Sequence, residues 1–266
     1  MLDTLFSVYI QNNTIMHRYL SFFLISILFP TLLVAQNSER ATEIFEEVDA
    51  RRSKITFEKT DMRMIIYNSN GNTRNRSISS FSFNEADQEK SLLVFEEPAN
   101  VRGTAFLTLS DGNNEVQKLY LPALGRIQTI TASQKADRFM GSDFTYEDLG
   151  DQNPDDYDFE LIEEKNKTAV LRAVKKENSQ YAYIKFYINN ERYSLEKAEY
   201  FDEDDEMIKR LEAEDFTNVD ANIWRANKMT MFDLRADRKT ELIWSNRVIN
   251  QSIPDWRFTE RGLKRN

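Results

Sequence analysis

Three carboxylates lie close together in residues 139–149, FMGSDFTYEDL. Asp143, Glu147 and Asp148 offer hard oxygen ligands of the kind a calcium or magnesium ion takes. The same segment also reads as plain structure. Thr145 and Asp148 have the spacing of a capping pair, Gly141 supplies a turn, and Phe139, Met140 and Phe144 would pack inwards. A packed loop explains more of these residues than a metal does, and no metal ligand set is assigned. A second acidic run, Asp202 to Glu206, sits between two strand patterns. It lacks the spacing and the glycine of an EF-hand, so it reads as a solvated hairpin tip. A glycosidase-type carboxylate pair gets no support either, because with 44 acids some close pair is inevitable and no spacing singles one out.

Composition narrows the remaining catalytic chemistry to carboxylate, lysine or tyrosine groups. The chain has no cysteine, and its one histidine is His17. If residues up to Ala35 are removed, the remaining chain has neither thiol nor imidazole. The usual zinc sites and the Ser-His-Asp and Cys-His nucleophile systems are then impossible. None of the seven glycines builds a GxGxxG or P-loop motif. No catalytic residue and no cofactor is expected.

What the residue types favour instead is apolar binding. Met62 and Met64 share one face of a strand, and so do Met229 and Met231. Methionine is flexible and polarizable and suits surfaces that accept variable apolar ligands. In residues 181–188, YAYIKFYI, the side chains of Ala182, Ile184, Phe186 and Ile188 face one way. A curved sheet with such an inner face, incompletely filled by helices, would hold acyl chains. Met62, Met64, Phe106, Ile184, Phe186, Met229 and Met231 are the expected lining. The competing reading is a dry core, in which case the protein would be a non-enzymatic envelope adaptor working through its convex face and loops.

The elements that would position these residues are mostly strands. Residues 38–53 repeat apolar positions at Ala41, Ile44, Phe45 and Val48, which predicts a helix. From Ile55 the period becomes two, and strand segments follow at hairpin spacing up to Val248. They suggest about ten or eleven antiparallel strands. Residues 132–156 are the largest interruption, with a short helix expected at Thr145 to Leu149, and a terminal helical turn is expected after Pro254. A long meander must curl, with helices covering its concave face, so a mainly β (α+β) fold is expected.

The N-terminal residues predict export. His17 and Arg18 precede an uncharged run from Tyr19 to Val34 that ends at Ala35, the pattern of a signal peptide over residues 16–35 cleaved near Ala35. Residues 1–15 lie ahead of a signal that has its own methionine, Met16, and read as a start codon placed too early. Residues 36–266 are then one domain. No cysteine follows the apolar run, so lipid attachment there is not expected. Removing residues 1–35 takes away Asp3 and Arg18, leaving the net charge at −9. That balance disfavours nucleic acid as a partner.

Four segments in order add a resemblance. Residues 98–107 (PANVRGTAFL), 119–126 (LYLPALGR), 139–149 (FMGSDFTYEDL) and the tail from Ile253 resemble the LolA-like outer membrane lipoprotein-sorting protein family. Gly103, Thr104, Phe139, Met140, Gly141, Asp143 and Phe144 carry the match. The resemblance implies an incomplete, strongly curved antiparallel barrel closed by helices around an apolar cavity. It implies a periplasmic carrier of lipid or of lipoprotein acyl chains, and partnership with an inner-membrane transporter of the resistance-nodulation-division type. No functional residue of the family's lipoprotein carrier is carried over.

Overall fold

The computed structural model describes residues 36–85, 88–112 and 114–265; the expected signal segment at 16–35 lies outside them. Helix α1 covers residues 36–53. Thirteen strands follow: β1 (Phe57–Tyr67), β2 (Thr73–Glu85), β3 (Gln88–Glu97), β4 (Ala105–Ser110), β5 (Glu115–Leu121), β6 (Arg126–Thr129), β7 (Tyr157–Lys165), β8 (Thr168–Lys175), β9 (Tyr183–Asn189), β10 (Ser194–Phe201), β11 (Met207–Asp220), β12 (Ile223–Asp233) and β13 (Arg238–Ile249). The chain then closes with a 3₁₀ turn at Asp255–Phe258 and the short helix α2 (Glu260–Leu263).

All strands join one sheet in the order β6-β5-β4-β3-β2-β1-β13-β12-β11-β10-β9-β8-β7. Two meanders run outwards from a central β1–β13 pair, so β6 and β7 are its edges. Every ladder is antiparallel, as hairpin connections require. The fold is the expected mainly β one, an antiparallel sheet that does not close, with few helices. It has more strands than the ten or eleven expected, because closely spaced hairpins leave little sequence between neighbours.

The concave face follows from strict alternation. In β1, Thr60, Met62, Met64 and Ile66 are buried while Asp61 and Arg63 are exposed. Register then carries inward side chains across the sheet. Leu171, Phe186, Ala198, Leu211, Met231, Thr240 and Ile66 stand side by side on β8, β9, β10, β11, β12, β13 and β1. An apolar row this long needs a cover, and two elements supply it.

Helix α1 covers the β7–β9 side. Ala41 and Ile44 are fully buried, and the Phe45 ring lies 4.7 Å from Phe159 and 5.2 Å from Phe186. Residues 130–156, which cross from β6 to β7, cover the other side. Phe139 is fully buried, with its ring 5.0 Å from Phe106, 5.8 Å from Phe95 and 5.6 Å from Tyr146. A side chain of that size contributes roughly 1.5–3 kcal/mol by burial. The expected helix at Thr145 to Leu149 is a turn instead. Its capping pair does form, with Thr145 N donating to Asp148 Oδ2 at 2.7 Å and Asp148 N donating to Thr145 Oγ1 at 3.3 Å. Tertiary partners of Glu147 and Asp148 hold the segment down before a helix can propagate.

A second apolar cluster lies on the convex side of β2–β4. Phe81, Leu92, Val94, Ala105 and Leu107 are covered there by Ile253, Phe258 and Leu263 of the tail. Thr259 caps α2 by accepting from Gly262 N at 3.1 Å.

Candidate functional site

Between α1, the crossing segment and the sheet lies a cavity of about 500 Å³. That is within the range of small-molecule sites, roughly 300–1,000 Å³. Phe45 and Val48 of α1 and Leu149 of the crossing segment form one wall. The sheet contributes Tyr157, Ile184, Phe186, Leu195, Tyr200, Leu211 and Met229. Further along, Phe216, Trp224 and Ala226 extend the apolar surface. The last three break the strand parity set by Leu211, Ala213 and Met229. On β11 the break falls at Asp215, whose left-handed φ of 54° interrupts alternation and turns Phe216 inwards, opposite Ala226 of β12.

Charged groups gather where α1 ends, and they are paired. Arg52 donates to Glu89 at 2.6 and 2.8 Å, to Asp49 Oδ1 at 2.7 Å and to Asp151 Oδ1 at 3.5 Å. One guanidinium therefore ties α1 to β3 and to the crossing segment. Burial works against the Arg52 charge, but Glu89 and Asp49 more than offset it and hold its pKa above the ordinary value. Burial pushes Glu89 upwards, with Arg52 opposing. Nearby, Arg225 donates to Glu58 at 3.2 Å and to the Arg52 carbonyl at 2.8 Å.

Deeper in, Asp148 accepts from the Tyr181 hydroxyl at 2.7 Å and from Lys209 Nζ at 3.2 Å. Glu147 accepts from Ser179 Oγ at 2.6 Å and from Gln180 N at 3.2 Å. Burial, reinforced by Asp148, raises the Tyr181 phenol well above its usual value, and burial raises Tyr157 as well. Both stay protonated and act only as neutral hydroxyls. The site thus combines an apolar interior with carboxylates already engaged, an arrangement suited to holding an apolar chain.

Comparison with known proteins places this architecture. A family model described as "Uncharacterized protein" matches residues 87–265. The solved structure of a domain assigned as an outer membrane lipoprotein-sorting protein from Vibrio parahaemolyticus is 30% identical, with a TM-score of 0.81, over 86% of this chain and 100% of that one. This chain belongs to the LolA-like family. A DUF1329 family protein from Desulfovibrio piger ATCC 29098 is 25% identical, with a TM-score of 0.80, over 85% of this chain and 99% of that one. A LolA superfamily protein from Nitrosomonas europaea shares the fold at 19% identity and a TM-score of 0.66, over 83% of this chain and 97% of that one. No curated protein matches the chain.

The LolA-like barrel separates the seven residues expected to line a cavity. Ile184, Phe186 and Met229 do line it. Met62, Met64, Phe106 and Met231 do not: they are 4%, 1%, 1% and 0% exposed, packed into the core beside the crossing segment. Half of the concave face is therefore dry and the other half hollow. Strand alternation shows which side chains turn inwards, but not which half the crossing segment fills.

The residues that carry the family resemblance form the plug of the dry half. Phe139 and Phe144 are buried and Met140 packs against the same core. Met140 and Gly141 turn the chain with φ of 49° and 75°. The Gly103 N–H donates to the Phe95 carbonyl at 2.8 Å and Phe95 N donates to the Thr104 carbonyl at 2.9 Å, fixing the β3–β4 turn under Phe139. Asp143 is fully buried. It accepts from Thr240 Oγ1 at 2.7 Å and from Arg138 at 3.0 Å, and Arg238 Nε lies 3.2 Å away. Burial raises its pKa, with Thr240 and the two arginines opposing. Asp143, Glu147 and Asp148 thus face different partners, and among the described residues no acidic group is arranged to hold a metal. Asp202 to Glu206 form the β10–β11 turn, with Asp202 accepting from the backbone of Asp204 and Glu206, each at 3.0 Å.

Arg52, Tyr181, Tyr200, Phe216 and Trp224 escaped the sequence reading. Tyr200 could have been found, since it alternates with Ala198 on β10. Phe216 and Trp224 could not, because the kink at Asp215 has no glycine to announce it.

Proposed function

We propose that this LolA-like chain is a carrier that shields one acyl chain of a lipid or lipoprotein in the cavity between α1 and the sheet. The observation that carries the reading is the hollow half of the barrel, about 500 Å³ walled by Phe186, Ile184, Leu211, Met229 and Trp224. Each methylene moved out of water contributes about 0.8 kcal/mol, so a single chain binds without polar recognition. Helix α1 covers the cavity through Ala41, Ile44 and Phe45, and partly exposed ion pairs such as Arg52–Glu89 and Arg40–Glu164 fasten its ends. The role is binding rather than catalysis. A periplasmic location is part of the proposal, supported by the N-terminal export pattern and by the lipoprotein-sorting assignment of the Vibrio relative. A resistance-nodulation-division transporter of the inner membrane is the proposed partner.

The test is extraction of protein purified from the periplasm with organic solvent, followed by mass spectrometry, alongside uptake of a fluorescent fatty acid. Recovery of about one acyl chain per protein, or saturable uptake competed by palmitate, is the expected result. Lipid-free protein that takes up no fatty acid would refute the carrier and favour an adaptor with a dry core. N-terminal sequencing of the same sample checks cleavage near Ala35.

A further inference from the structure

Among the described residues six charged residues are buried as a whole: Arg76, Asp143, Glu147, Lys209, Asp233 and Glu241. Five of them have charged or hydrogen-bonding partners. Asp143, Glu147 and Lys209 are engaged as described, Asp233 pairs with Arg138, and Glu241 accepts from Tyr67 at 3.0 Å and Lys239 at 2.9 Å. Arg76 is the exception. It is 8% exposed, its Nη1 has no hydrogen-bond partner, and no described carboxylate lies within ion-pair distance. A buried charge without a counter-charge is among the costliest features a fold can carry.

Its surroundings concentrate positive charge. Arg76 stands opposite Met64 on the concave face, with its guanidinium 5.6 Å from the centre of the Phe95 ring. Arg74 lies on the same face two residues away, exposed at the open end of the sheet, and is likewise without a described partner. A Cβ added at Gly141 would stand 3.8 Å from Arg74 Nη2, so the bare turn of the crossing segment borders the pair. The acids nearby are already taken, Asp143 by Arg138 and Arg238, Asp233 by Arg138. Burial and the Arg74 charge together hold Arg76 below its ordinary pKa.

We propose that Arg76 and Arg74 form a receptor for a phosphate group, either the headgroup phosphate of a phospholipid or free phosphate. Two guanidiniums on alternate residues of one strand, with Cα atoms about 6.6 Å apart, can share the several oxygens of one phosphate. Free phosphate as the dianion neutralises both charges, and a phosphodiester headgroup, which carries one, still offers two free oxygens, one for each guanidinium. The receptor is distinct from the cavity, since neither arginine lines it. One cross-strand row, Arg76–Met64–Leu242–Met229, connects it to the cavity wall. The proposal stands whether or not the cavity carries an acyl chain.

The test is titration of the purified chain with inorganic phosphate by calorimetry and with phosphatidylglycerol vesicles by flotation. The variants are Arg76→Met, Arg76→Lys and Arg74→Gln, with exposed Arg261→Gln as control. Saturable phosphate binding, weakened about tenfold or more by Arg76→Met and left unchanged by Arg261→Gln, identifies free phosphate as a ligand. Vesicle binding that needs Arg76, without binding of inorganic phosphate, identifies the lipid headgroup. If Arg76→Met does not fold, Arg76→Lys, which keeps the charge and loses the fork, and Arg74→Gln must each weaken binding. Absence of both phosphate and vesicle binding by the native chain, or equal binding by all variants, overturns the proposal.

Discussion

Phe186→Ala tests the division of the barrel into hollow and dry halves. Phe186 is 4% exposed, lines the cavity, and packs its ring 5.2 Å from Phe45 and 6.4 Å from Tyr157. Removing a ring of this kind costs about 3–5 kcal/mol, because neighbours on a rigid sheet relax only partly. In the lipid-loaded protein the ligand itself can fill the hole. Two or three additional methylenes recover about 2 kcal/mol at roughly 0.8 kcal/mol each. Phe106→Ala is the matched control: it is 1% exposed, lies against Phe139 and Tyr146, and does not line the cavity. Urea unfolding with and without fatty acids of increasing length gives the comparison. Phe106→Ala should lose the same stability in both conditions. Phe186→Ala should lose about 2 kcal/mol less when loaded with the longer chains, and should shift its chain-length preference upwards. Equal losses for both variants in both conditions would refute the assignment of Phe186 to a ligand wall.

Three further outcomes are expected. Arg40 holds the Glu164 carboxylate below its ordinary 4.5, so this α1–β7 contact stabilises above that pH and is lost as pH falls through the lower folded value. The pair is partly exposed, so the effect is below about 1 kcal/mol; amide protection factors in α1, corrected for the intrinsic rate, should fall on acidification, and Glu164→Gln should weaken that response. Asp143→Ala leaves Arg238 with the Gly141 carbonyl alone, Arg138 with Asp233 alone and Thr240 without its acceptor, and should cost about 1–3 kcal/mol in thermal or urea unfolding. Gly262→Ala puts a Cβ against the carbonyl oxygens of Trp256 and Arg257, so the tail should lift, with dye binding to the uncovered Phe81 and Leu92 face and a drop in melting temperature.

Much of the scaffold was legible because period-two alternation is a local signal. Met62, Met64 and Ile66 announce β1 by themselves, and the Asp202–Glu206 turn is plain from its charge. Closure of the core was not legible. Whether Phe106 meets a ligand or Phe139 depends on the path of residues 130–156, and that path is set by contacts far away in the chain. Thr240, Arg238 and Lys209 fix it, nearly a hundred residues on in the first case. The cavity's far wall was hidden for another reason. A non-glycine residue at positive φ, Asp215, changes which side of β11 faces inwards.

Among the described residues β6 and β7 are the edges of the sheet, with a consequence for life at high concentration. An unpaired strand is a template on which another chain can add, and an unclosed barrel has two of them. Here β6 is only four residues long, too short to seat an incoming strand firmly. The other edge, β7, exposes Asp158, Glu160, Glu163 and Glu164 along nine residues. An identical edge approaching it would meet four carboxylates with four of its own. The sheet can stay unclosed without inviting copies of the molecule to polymerise through the gap.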